Sequence, residues 1–145
     1  MSSVQILDFS ELVRAPDRVR ESVIAVGVFD GVHLGHRNFL AHLIERARQE
    51  KANSAVVTFW PHPRNVLRPE SPVASVTSLD ERIEALQACG LDDIVVLRFD
   101  GELAGLSASD FVSALKDSLN IRGLVVGHDF ALGRGREGKI GRAHV

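Results

Sequence analysis

One cysteine, Cys89, is all that the 145-residue chain contains. That excludes an intrachain disulfide framework and a zinc site built from cysteines, and it suits a reducing compartment. Long apolar runs are missing too, since none approaches the roughly 20 residues needed to span a bilayer. Residues Met1 to Glu11 lack both the basic start and the apolar run of a signal peptide. Charge of one sign is also scarce: a net charge of −2 gives no reason to expect a nucleic-acid or anionic-membrane partner. These absences leave a soluble cytoplasmic protein, with no nucleic acid and no membrane, as the expectation. What is present agrees with it. A content of 45% hydrophobic and 25% charged residues is ordinary for a globular protein, and the length suits one domain.

Apolar runs rich in β-branched residues alternate with amphipathic segments of helical period. Ile24 to Phe29 reads as a buried strand, because a strand covered on both faces is almost continuously apolar. A helix is expected from about His36 to Glu50, with Phe39, Leu40, Leu43, Ile44 and Ala47 along one side. Ala55 to Trp60 reads as a second strand, stopped by Pro61 and Pro63. Ser78 followed by Glu81 has the form of a capping box opening a helix through Gln87, ended by Gly90. Ile94 to Leu97 is a third strand. A helix capped by Ser107 or Ser109 follows, and then a last strand, Leu124 to Val126. This β-α-β-α-β-α-β order predicts an α/β fold: a Rossmann-like parallel sheet with helices on both faces. Ligands of that architecture bind along the carboxyl ends of the strands. The stretch from Pro61 to about Thr77 is longer than a plain connector, which marks it as a candidate binding loop.

The most informative segment is Gly27-Val28-Phe29-Asp30-Gly31-Val32-His33-Leu34-Gly35-His36. It begins in the first of these strands and ends in the first turn of a helix. Backbone N–H groups there lack internal partners, and the helix dipole adds positive character, so phosphate oxygens are favoured. Gly31 and Gly35 allow the backbone to bend toward a ligand. Two imidazoles three positions apart, His33 and His36, can point into one space and complement charge building on a phosphorus. A cap or a solvated side chain is the plain alternative for either histidine alone. A His-x-x-His zinc site would need a third ligand from His62, His128 or a carboxylate. Gly133-Arg134-Gly135-Arg136-Glu137-Gly138 matches G-x-G-x-x-G letter by letter, yet it comes late and no helix follows, so a basic loop near phosphates is the better reading.

Four segments in order resemble the adenylyltransferase half of the bifunctional bacterial riboflavin kinase/FMN adenylyltransferases, the FAD synthetases. They are Gly27 to His36, Thr58 to Pro63, Val76-Thr77-Ser78-Leu79 with Glu81, and Val125 to Phe130 continuing to Gly138. The H-x-G-H element alone indicates the wider nucleotidylyltransferase superfamily; the Pro-His-Pro and Gly-x-Asp-Phe segments narrow it to the flavin branch. The resemblance implies the nucleotidylyltransferase fold and the reaction of FMN with ATP to give FAD and pyrophosphate, with Mg2+ accompanying ATP and no protein metal ligand assigned. It implies His33 and His36 as the catalytic pair on the ATP phosphates. Gly27, Phe29, Asp30, Gly31 and Gly35 complete the ATP-binding wall, and His62, Pro63, Asp129 and Phe130 face FMN. Asp30 could instead only hold its turn, and Asp129 could be a strand-end cap.

Departures from the family pattern are specific. Val28 stands where many members carry Asn, and Leu132 replaces the second aromatic of Asp-Phe-x-Phe-Gly. The Ser-Ser-Thr-x-x-Arg segment and the riboflavin kinase domain of family members do not follow. Residues 1–139 are therefore expected to be an adenylyltransferase domain truncated at its C-terminus. Ile140 to Val145 is what ATC-GGA-AGA-GCA-CAC-GTC encodes, a string resembling a sequencing adapter, so 140–145 is expected to be a non-native tail. Two other functions fit the same residues: adenylyl or cytidylyl transfer to another phosphate acceptor (nicotinamide mononucleotide, phosphopantetheine or a polyol phosphate), and a non-catalytic nucleotide- or flavin-binding module.

Overall fold

The computed structural model describes residues 3–14, 20–31, 34–72, 74, 77–126 and 143–144. In chain order the elements are β1 (Ser3–Leu7), α1 (Phe9–Arg14), β2 (Ser22–Val26), α2 (Leu34–Gln49), β3 (Asn53–Trp60), α3 (Pro63–Leu67), α4 (Leu79–Ala88), β4 (Asp93–Arg98), α5 (Gly101–Ala104), α6 (Ala108–Ser118), β5 (Ile121–Val126) and β6 (Ala143–His144). They form one sheet in the order β1-β4-β3-β2-β5-β6. The first five of these strands run parallel, and β6 pairs antiparallel with Val125 and Val126. The sequence-based expectation of a parallel α/β sheet is met, with that short edge pairing as an addition. The pairing lies inside the segment 140–145 read above as foreign, and backbone ladder bonds do not depend on side-chain identity.

Both faces of the sheet are covered, as the unbroken apolar runs require. Val23, Ala25, Val56, Ile94 and Val96 point to one face, under Leu40, Leu43 and Ala47 of α2 and Leu86 of α4. Ile24, Val26, Val57, Val95 and Leu97 point to the other, under Phe9 and Leu12 of α1, Leu103 of α5, and Phe111 and Leu115 of α6. Period-two alternation along each strand divides the two cores. Each fully buried side chain of this size is worth about 1.5–3 kcal/mol relative to exposure.

The helix ends follow their local chemistry. Ser78 caps α4 by accepting from the Glu81 N–H, while the Glu81 carboxylate accepts from the Ser78 N–H, so the expected capping box is present. Gly90 takes φ 94, the left-handed conformation in which glycine ends a helix without steric cost. Ser107, not Ser109, caps α6. Elements outside the expected set are β1, α1, α3, α5 and β6. The Pro61–Thr77 stretch is not wholly irregular as expected, because α3 occupies Pro63–Leu67 and packs Val66 and Leu67 on the core.

Sheet order then selects a place for a ligand. From β2 the chain passes through α2 to β3 on one side, while β5 lies on the other side of β2. Strand order therefore reverses between β2 and β5, and doubly wound sheets bind ligands at the carboxyl ends of such a pair. β2 and β5 end level with each other, Val26 opposite Val126.

Candidate active site at the strand carboxyl ends

The turn after β2 is fixed from below by β3. The Gly27 N–H donates to the Val57 carbonyl at 3.1 Å, and the Thr58 hydroxyl donates to the Val28 carbonyl at 2.6 Å. Val28 and Phe29 are buried, which is why they read as strand, but β2 ends at Val26. The expected strand through Phe29 is thus three residues too long: burial and ladder pairing part company here. Phe29 takes φ 55 and Gly31 φ 83, so the backbone turns through the left-handed region twice before α2 begins. Only Gly31 adopts that conformation without side-chain cost.

Helix α2 starts at Leu34, two residues before the expected His36, so Gly35 and His36 are its second and third residues. The His36 ring stands edge-on to Phe29, 5.3 Å between centroids at 69°. Phe29 in turn stacks on Phe39 at 6.4 Å. A Cβ added to Gly27 would lie 2.9 Å from the Phe29 ring. The structure therefore brings Gly27, Phe29, Asp30, Gly31 and His36 together at one strand end. His33 lies outside the described residues, and so does the question of whether its ring converges with that of His36.

Beside this turn, β3 ends at Trp60, the Trp60–Pro61 peptide is cis, and His62 is half-buried with its carbonyl accepting from the Asn65 N–H at 2.9 Å. Pro63 is buried as the first residue of α3. Since β3 neighbours β2, His62 and Pro63 share the edge that carries the turn. His128, Asp129, Phe130, Leu132 and the Gly133–Gly138 loop lie outside the described residues.

Three further residues, Thr58, Thr77 and Arg82, shape this edge, and none was singled out for a role from the sequence. The Asp30 carboxylate accepts from both the backbone N–H and the hydroxyl of Thr77, each at 3.1 Å. Its second partner is Arg82, whose Nη2 lies 3.7 Å away. Arg82 Nη1 donates to the Phe59 carbonyl at 2.8 Å and to the Thr58 hydroxyl at 3.3 Å. The guanidinium lies 5.5 Å from the Trp60 ring centroid. Its side chain is 0% exposed, against 13% for Asp30. Arg82 Nε and Nη2 are buried without hydrogen bonds, a cost of about 1–3 kcal/mol for each such donor and more for charged groups. Burial pushes the Arg82 pKa below its ordinary value, and the Asp30 charge opposes that shift. A signal for Arg82 was available: with Leu79, Ile83 and Leu86 it occupies the core-facing stripe of α4, where an arginine demands a carboxylate partner.

Among the described residues, no three His, Cys, Asp or Glu side chains come together to hold a metal ion. None of the described helices is long and apolar enough to cross a membrane.

The family model described as FAD synthetase matches residues 15–144. The chain belongs to the FAD synthetase family. The chain is 39% identical over 117 residues to the bifunctional riboflavin kinase/FMN adenylyltransferase of Escherichia coli (strain K12), covering 80% of the chain and 37% of that protein. It is 32% identical over 141 residues to the protein of the same name from Bacillus subtilis (strain 168), covering 97% of the chain and 44% of that protein. It thus spans less than half the length of either relative. A solved structure described as a macrolide-efflux protein from Streptococcus pneumoniae matches with a TM-score of 0.75 at 24% identity, over 92% of this chain and 44% of that one. That likeness concerns the fold alone.

Proposed function

We propose that this chain carries the AMP-transfer step of FAD formation. A phosphate oxygen of FMN attacks the α-phosphorus of ATP, the bond from that phosphorus to the bridging oxygen of the β-phosphate breaks, and FAD and pyrophosphate leave. No protein nucleophile is needed, so catalysis rests on positioning and on stabilising charge. The observation that carries this reading is the family match over residues 15–144. Its physical support is a turn and helix start at the carboxyl end of β2, where the strand order reverses.

In this reading His33 and His36 meet the ATP phosphates, and His36, in the first turn of α2, is the donor to the transition state. Gly27, Phe29, Gly31 and Gly35 shape the nucleotide wall. Asp30 serves it indirectly, because its carboxylate is engaged by Thr77 and Arg82. His62 and Pro63 face the flavin phosphate or ring, as do Asp129 and Phe130. Mg2+ would accompany ATP and, when bound, would help neutralise the charge of its phosphates.

The test is FAD formation from FMN and labelled Mg-ATP, run on the product of the complete gene and on the 145-residue chain side by side. The chain spans 37% and 44% of relatives named for two activities; slow turnover by the chain alone and full turnover by the complete product are expected. AMP transfer to nicotinamide mononucleotide, phosphopantetheine or a polyol phosphate, but not to FMN, would replace the acceptor. ATP and FMN binding without turnover in the complete product would leave a binding module.

A further inference from the structure

We propose that Arg82 is a positioning residue for nucleotide turnover: its buried guanidinium sets the β2–α2 turn on which the ATP phosphates settle. The inference rests on the reading of that turn as a nucleotide site, and it adds a residue of α4 to the machinery.

Contacts on both sides of the turn lead back to Arg82. Arg82 reaches the Phe59 carbonyl and the Thr58 hydroxyl at the end of β3. The same hydroxyl donates to the Val28 carbonyl, so guanidinium, Thr58 and Val28 form one chain into the turn. On the far side of the turn Arg82 faces Asp30, which also holds Thr77 just ahead of the α4 cap. The turn is therefore gripped at Val28 and Asp30, on both sides of the left-handed Phe29, and one cation stands behind both grips.

Its energetics argue against a role in packing alone. A fully buried guanidinium with Nε and Nη2 lacking hydrogen bonds is an expensive way to fill space in a helix stripe that is otherwise Leu79, Ile83 and Leu86. Methionine would fill a similar volume without a charge to desolvate. What methionine cannot do is orient a carboxylate and two strand-end oxygens at once. At 0% exposure Arg82 cannot touch substrate, so its effect passes through Asp30, Thr58 and the turn.

The experiment compares kcat and the KM for ATP in the complete gene product for Arg82→Met, Arg82→Lys, Thr77→Val and Leu86→Ala. Leu86 is a fully buried core residue of the same helix, and its apolar side chain can make neither a hydrogen bond nor an ion pair to this network. A misplaced turn acts on the reacting geometry, so Arg82→Met is expected to lower kcat about 10²-fold, with a much smaller change in KM. Arg82→Lys keeps the charge but loses the planar fork, and is expected to recover kcat to within about tenfold of wild type. Thr77→Val removes one grip on Asp30 and is expected to lower kcat measurably while folding normally. Leu86→Ala is expected to lose stability and keep wild-type kcat where it is folded. Wild-type kcat in Arg82→Met overturns the proposal, as does an equal loss in Leu86→Ala, or an unfolded Arg82→Met beside a Thr77→Val of full kcat. A wild-type protein that transfers AMP to no acceptor overturns the reading of the site, and this proposal with it; an active wild type with an active Arg82→Met overturns only the proposal.

Discussion

The two edges of the sheet use the same ion-pair chemistry under opposite conditions. At the amino ends of the strands Arg122 meets Glu21 at 2.8 Å, with side chains 47% and 56% exposed. Arg20, itself largely exposed, reaches the buried Asp93 at 3.5 Å, an intermediate case. At the carboxyl ends Arg82 and Asp30 stand 3.7 Å apart with almost no exposure. The shortest of these contacts is the least constraining. Water and ions screen Arg122 and Glu21, and pairs of that kind contribute about 0–1 kcal/mol. Around Arg82 there is little water to take over if a partner is lost, so the looser pair decides more of the structure.

Removing one partner on the buried side is the hardest test of this difference. Asp30→Asn strands a fully buried guanidinium and is expected to cost about 3–5 kcal/mol of unfolding free energy in urea. The double variant Asp30→Asn/Arg82→Met should cost less than the sum of its single changes, because no buried charge is left without a partner. Strict additivity would dissolve the contrast between the edges.

His36→Ala separates activity from stability at the same edge. Losing one transition-state donor is expected to lower turnover about 10²–10³-fold while the urea midpoint stays near wild type. Retained activity would remove His36 from the mechanism. Ser78→Ala should cost about 1 kcal/mol through the lost cap of α4. Its partner Glu81 is held below its ordinary value of 4.5, first by the Ser78 backbone N–H and then by the Ser78 hydroxyl. A depressed folded value places the contribution of Glu81 above pH 4.5 and removes it as pH falls further. The gap in urea midpoint between wild type and Glu81→Gln should therefore be full at neutral pH and close in acid. Smallest of all, Arg122→Ala should change stability by less than about 1 kcal/mol, and less again in high salt. A larger loss would mean that exposure is a poor guide to these pairs.

The central strands, the main helices and the covered faces were legible in the sequence, because few folds accommodate continuous apolar runs alternating with helical periods. Strand β1 was not, since Val-Gln-Ile-Leu is too short to stand out and Val4 and Ile6 remain exposed. Helices α3 and α5, of five and four residues, carry too few turns to show a period. At the site, Gly31 and His36 were legible from residue type and spacing. Thr58 and Thr77 were not, because a hydroxyl that grips a distant backbone leaves no local pattern. Arg82 was visible in principle as a charge on an apolar stripe, but its partner lies 52 positions earlier at Asp30, and only the fold brings the two together.

The crowding between Gly27 and the Phe29 ring also limits how this chain can vary. A methyl group at 27 displaces a ring that rests edge-on against His36, so a change that looks harmless reaches the imidazole through a single intermediate. A variant that enlarges position 27 is therefore expected to move the Phe29 ring and, with it, the surface against which the imidazole rests.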